Sequence, residues 1–252
     1  AWRWRFSGVI GGLSAAVCRI DPDDPWRHWA RARARVAAAI GGAVSEPGER
    51  SVLSALALGT GFGPTPPVRS LLAGAGLAHL MAVSGLHVGL VAGALYTALT
   101  VLLRGWSYGL QRWGARRPAA AMAAVGTVLY VLWVGAGPSA VRAGIMGCLV
   151  FAARALACPP GATIPWALAG CAAVEPGWLF GPGLQLSFVA LFGLRAFSQQ
   201  GVPRWVSAGW GATAATAPLT AFWFGMVAPW GLLSTALVAP VVSLLLVPAV
   251  LV

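Results

Sequence analysis

Lysine is missing altogether from this chain of 252 residues, and only six acids and three histidines are spread along it. The Gly/Pro-rich stretch 59–67 superficially resembles a phosphate-binding loop. No lysine follows it and no convincing strand precedes it, so a nucleotide-binding role is set aside. After residue 49 the one remaining acid is Glu175, which argues against chemistry built on paired carboxylates or two metal ions. The four cysteines, Cys18, Cys148, Cys158 and Cys171, form no CxxC pair and no framework spacing. They read as small apolar packing residues. Charged residues of all kinds make up 9% of the chain against 58% hydrophobic, a balance foreign to a soluble domain.

What is present instead is a series of apolar runs. A helix of about 20 mostly apolar residues spans a bilayer and leaves no interior backbone group unsatisfied in lipid. The expected fold class is therefore all-α: a polytopic helical membrane protein with about seven transmembrane segments and an interfacial amphipathic helix before them. The leading run starts near Gly76 and reaches about Leu103, and six more follow at 118–135, 138–157, 163–180, 184–197, 205–225 and 229–252.

Ahead of these runs the chain divides in two. Residues 1–25 are Trp/Arg-rich and end in the acidic turn Asp21–Pro25. The absence of an initial Met and the stop inside an apolar run at Val252 read as a fragment of a longer protein. Residues 26–78 hold an arginine-studded segment, Trp26–Ala43, then a short helix over Arg50–Leu58 and the Gly/Pro connector. In the first, Arg27, Arg31, Arg33 and Arg35 alternate with Trp29, Val36 and Ile40. That pattern suits a helix lying in the membrane interface, or equally one docked on neighbouring protein. Residues 79–252 form the transmembrane part.

Every one of the 17 basic residues is arginine, and their placement tests the layout. Arg104, Arg112, Arg116 and Arg117 follow the first run, Arg154 comes two connections later, and Arg195 and Arg204 two later again. The alternate turns at 135–138, 175–183 and 225–230 contain none. Positive loops mark the cytoplasmic side, so residues 1–78 are expected outside. The net charge of +11 is in part this topology signal and does not by itself indicate nucleic acid.

Three constellations exceed a membrane background. His79 and His87 lie eight positions apart, about 80° around an ideal helix, with Ser84 on the same side; Gly85 and Gly89 permit close helix approach. Arg142, in a stretch that includes Pro138 and Gly144, is expected about one turn inside the outer end of its run. A guanidinium inside a membrane segment is a functional hypothesis, since it can grip phosphate through two bonds; snorkelling or pairing with Glu175 is the alternative. Gln185 and Ser187 enter the next-but-one run, where bonding between helices is the commoner role. Ser84 with His87 suggests an intramembrane hydrolase, but no orienting carboxylate is obvious. Histidines about 12 Å apart along a helix axis cannot share a metal ion. No metal, cofactor or catalytic group is expected, and the domain looks like a conduit. A small-solute transporter and a Ser84 hydrolase remain the alternatives.

The run Ala75–Val88 resembles the signature of the ComEC/Rec2 competence family, and Pro138–Ala143 and Leu184–Phe188 are similar to its two further motifs in the same order. Ala217–Leu219 through Val241–Ser243 is similar as well, so the resemblance covers about 26–252. Departures fall at Thr60-Gly61, Gly181 and Thr235. The resemblance implies a channel in the bacterial cytoplasmic membrane that imports single-stranded transforming DNA during natural competence. It also implies an OB-like outer domain, of which 1–25 would be the tail. Partners would be a DNA receptor, a cytoplasmic helicase-like motor and a nuclease, in the parent chain or separate; a homo-oligomer is possible. The HxHxDH motif of the nuclease is not in this chain. In this reading His79, Ser84, His87, Arg142, Gln185 and Ser187 line the DNA path, and Trp26, Arg27, Trp29 and Arg31 receive phosphates outside.

Overall fold

The computed structural model describes residues 27–59, 84–105, 115–159, 163–197 and 204–225. The proposed tail at 1–25, His79 and the last apolar run at 229–252 lie outside the described residues. Helices dominate and no strand occurs among the described residues. In chain order they are α1 (Arg27–Ala43), α2 (Pro47–Leu58), α3 (Gly85–Gly105), α4 (Arg116–Trp133), α5 (Pro138–Ala155), α6 (Thr163–Val174), a 3₁₀ turn (Pro176–Phe180), α7 (Pro182–Phe197) and α8 (Arg204–Phe224).

Local chemistry sets these boundaries. Proline opens α2 and α5 at a first-turn position, where its missing N–H would have had no helical partner. Gly59 closes α2 in the left-handed region, with φ at 62°, a conformation glycine adopts without strain. One correction concerns the leading run. The described helix within it begins at Gly85, with Ser84 preceding it as a non-helical residue, so Ser84 stands at the N-cap position and not within the helix.

One described helix, α3, is both long and apolar enough to cross a membrane. Its 21 residues reach about 31 Å, matching the hydrocarbon thickness of about 30 Å. α6 is apolar but shorter, at 12 residues.

The bundle is built around α3, α4 and α5, which pack on one another, with α6 against α5 and α7 paired with α8. Its interior is small and partly polar. Ala119, Ala120 and Ala123 are fully buried, together with Thr127 and His87 at 1% exposure, while Leu102 on the outside is 70% exposed. Val101, Val125, Trp166 and Phe222 likewise point outward. Small residues inside and large apolar ones outside is the distribution of helices whose solvent is lipid, where close backbone approach rather than hydrophobic exclusion joins them. α7 and α8 approach so closely that a Cβ on Gly193 would collide with the Gly211 carbonyl and stand 2.6 Å from the Ala215 Cβ.

The buried threonines need no cross-helix partner. Thr100 and Thr127 each donate to the carbonyl four residues earlier, at 2.7 Å, a local bond open to any helical threonine.

Candidate functional site

The chain order places the two ends of the bundle in chemically different settings. Arg104, Arg116, Arg117, Arg154, Arg195 and Arg204 all lie at or near helix ends on one pole. The opposite pole collects the start of α3, the α4–α5 turn, the 3₁₀ turn and the start of α7. Ser84, His87, Arg142, Gln185 and Ser187 all belong to this second pole.

At α3, His87 reaches back to cap the backbone at Ser84. The Ser84 N–H donates to His87 Nδ1 at 3.1 Å, and the Ser84 carbonyl accepts from Val88 N–H at 3.3 Å. The first bond is one half of a capping box, with histidine in the place usually held by Glu or Gln; the second is the ordinary first bond of the helix. Because Nδ1 accepts, the neutral ring carries its proton on Nε2. Ser84 Oγ also sits 2.9 Å from Nδ1, a contact compatible with a hydroxyl and its base. The same lone pair is already engaged by the backbone N–H. Gly85 approaches α5, where an added Cβ would meet the Ala143 Cβ at 3.6 Å, whereas Gly89 faces open space. Gly144 receives Val131 Cγ2, which a Cβ there would meet at 2.9 Å. Pro138 is the exposed opening residue of α5.

Arg142, one turn into α5, reaches across to α7. Its Cζ lies 5.6 Å from the ring centre of Trp178 in the 3₁₀ turn, inside the range of a cation–π contact. Its guanidinium rests on Gly183, where a Cβ would come within 2.9 Å of Nη2 and 3.2 Å of both Cζ and Nη1. Nε is buried without a hydrogen-bond partner. No ion pair joins Arg142 to Glu175 among the described residues. Glu175 turns back to accept from Gly177 N–H at 3.3 Å as the cap of the 3₁₀ turn, and so positions Trp178. A buried donor left open in a cradle that a side chain would fill calls for an explanation beyond packing.

Gln185 is bonded at both ends of its amide. Its Nε2 donates to Leu179 O at 3.2 Å and its Oε1 accepts from Trp223 Nε1 at 3.0 Å, tying the 3₁₀ turn and α8 to α7. Ser187 donates to Gly183 O at 2.7 Å, within its own helix. Gln185 thus ties together the elements around Arg142, whereas the Ser187 bond stays within α7.

Sequence patterns alone did not single out Arg33 or Trp178. Arg33 Nη1 donates to the Trp133 carbonyl and Nη2 to Leu58 O at 2.8 Å; Trp133 Nε1 donates to Ala57 O at 3.2 Å, and Trp29 meets Trp133 edge-on at 5.2 Å. α1 is thus docked on protein by its apolar face. Burial pushes the Arg33 guanidinium below the usual arginine value, while two carbonyl acceptors offset part of that desolvation. No group of three His, Cys, Asp or Glu gathers among the described residues.

Residues 56–252 match the family described as Competence protein. The chain belongs to that family. It is 29% identical over 159 residues to ComE operon protein 3 of Bacillus subtilis (strain 168), an alignment covering 59% of this chain and 18% of that relative. The chain therefore spans under a fifth of the length of the relative it matches. No solved structure matches. All the described motif residues discussed above, from Ser84 to Ser187, fall inside the region matched to the Competence family.

Proposed function

We propose that this domain is the membrane conduit through which single-stranded DNA crosses the bacterial cytoplasmic membrane during competence, and that it does so without chemistry of its own. The observation that carries the reading is Arg142: a guanidinium with an open buried donor, set between an aromatic ring and a bare glycine backbone. Phosphate oxygens suit its fork and bases suit the neighbouring ring, and these are the two contacts a single strand offers irrespective of sequence. Family membership supports a role in DNA uptake, and the small, partly polar interior with apolar residues outside supports a membrane setting. Seven spans, with the arginine-rich pole in the cytoplasm and residues 1–78 outside, follow from the positive-inside distribution.

The chain works in this reading with a DNA receptor outside, a helicase-like motor inside and a nuclease. The test is import of labelled duplex DNA by the full-length parent protein in a transformable host lacking its own copy. Nuclease-protected internal label should appear with wild type and fall with Arg142→Ala at equal membrane level. Import unchanged by Arg142→Ala refutes the role given to that residue, and specific uptake of a small solute with no DNA import refutes the conduit.

A further inference from the structure

We infer that the outward face of α1 is a phosphate-receiving strip for a single-stranded polynucleotide, with Arg31 and Arg35 as its two grips; this rests on the DNA reading above. Three observations lead there. First, the arginines of α1 divide by function. Arg33 is committed to the carbonyls of Trp133 and Leu58, whereas Arg31 and Arg35 are exposed and make no ion pair among the described residues. Each stands two positions, or about 200°, from Arg33, so they lie on the face away from the docked side.

Second, the charges work against the helix that carries them. α1 has no acid in its first turn and no basic residue in its last, so neither end carries the charge the helix dipole favours. Arg31 and Arg35, four apart, repel one another. No acid occurs between Asp24 and Glu46 to relieve them. The C-terminal carbonyls are instead capped from α2, where Arg50 Nη2 donates to Gly41 O and Val44 O at 2.9 Å. A helix held in place by its neighbours while carrying an uncompensated basic row is arranged for an external anion.

Third, the docking selects the kind of anion. A helix that lies on a membrane buries its apolar face in the headgroup region. Here Trp29 packs on Trp133, and Trp29, Val36 and Ile40 are half-buried in protein. The basic face is therefore presented beside the α4–α5 turn, at the pole that holds Arg142, and not toward a lipid surface that its apolar face could enter. The grips are about 6 Å apart along the axis, one helical turn, and a flexible single strand can seat neighbouring phosphates on them.

The experiment uses the full-length parent protein in phosphatidylcholine nanodiscs and a fluorescent oligothymidylate, with affinity read by polarisation across a salt series. Arg31→Ala/Arg35→Ala is expected to weaken binding about five- to tenfold, and to lower the slope of log K against log salt by about 1.4, two phosphates' worth for a single strand. Arg31→Lys/Arg35→Lys is expected to keep the slope, because the contact is to charge. Wild-type affinity and slope in the Ala pair, with Arg142→Ala still weakening binding, overturn the strip and leave the conduit standing. No binding by wild type overturns both. Intact oligonucleotide binding in the Ala pair, together with loss of a shift caused by phosphatidylglycerol in the disc, reassigns the strip to lipid and overturns the proposal.

Discussion

Gly183 separates a positioned Arg142 from a merely present one. An alanine there brings a Cβ to 2.9 Å from Nη2 and 3.2 Å from Cζ and Nη1. Carbon contacts are comfortable at roughly 3.5 Å or more, so the guanidinium must retreat by about 0.5 Å. The obstacle is the tip of a flexible side chain, so the backbone barely responds and the loss of stability stays at or below about 1 kcal/mol. Gly183→Val adds two further carbons to the same space and expels the guanidinium from Gly183 and Trp178. A charge-assisted hydrogen bond contributes about 1.5–3 kcal/mol, which corresponds to roughly 10- to 150-fold in import rate or affinity. Gly183→Ala should therefore show a partial defect and Gly183→Val one equal to Arg142→Ala. Because both act on one contact, the double variant Arg142→Ala/Gly183→Val should be no worse than either single. The assay is nuclease-protected DNA uptake, with membrane levels matched by immunoblot. Normal import by Gly183→Val, or a double variant whose defects multiply, would refute the reasoning.

Three further outcomes follow from the packing. His87→Gln keeps a side-chain acceptor at the third helical position, so it should retain more thermal stability in detergent than His87→Ala, which should lose about 1 kcal/mol or more with its cap; equal melting of the two variants would remove the capping role. Gly193→Leu should separate α7 from α8 and lower stability by about 1–3 kcal/mol or more, seen as early thermal aggregation, whereas Gly89→Leu should be mild, since Gly89 faces open space. Cys158 is exposed next to the end of α5, on the pole of Arg154. In a Cys18→Ser background an impermeant maleimide should label it only after the cytoplasmic face is opened, and labelling of intact cells would invert the topology.

The bounds of α4 and α5 were legible because punctuation survives in an apolar chain, whereas the run expected at 163–180 divides into α6 and the 3₁₀ turn. Runs expected at 118–135 and 138–157 appear as Arg116–Trp133 and Pro138–Ala155, set by Pro138 and the small-residue turn before it. The start of α3 was not legible. Its cap uses histidine where Glu or Gln is usual, and an apolar run conceals a serine that stands outside the helix. The choice left open for α1, membrane interface or protein, turned on Arg33 and Trp29 meeting Trp133, a contact no local pattern encodes. At the candidate site, chain order alone put Arg142, Gln185 and Ser187 on one pole. The pairing of Arg142 with Trp178 and Gly183 is tertiary, and so are the bonds of Gln185 to Leu179 and Trp223. An exposed arginine and a clamped one look identical in a stretch where Arg31, Arg33 and Arg35 alternate with alanine.

The clamp on α1 also constrains how the protein is made. Arg33 grips a carbonyl 100 residues further along the chain. Synthesis runs at about 5–20 residues per second, so α1 leaves the ribosome roughly 5–20 s before its seat exists. Through that interval a tryptophan-bearing, strongly basic segment must stay clear of wrong partners, and its docking comes after α3 and α4 have been made. Slowing translation between residues 59 and 133 should therefore lower the yield of assembled protein more than the same pause placed after α5.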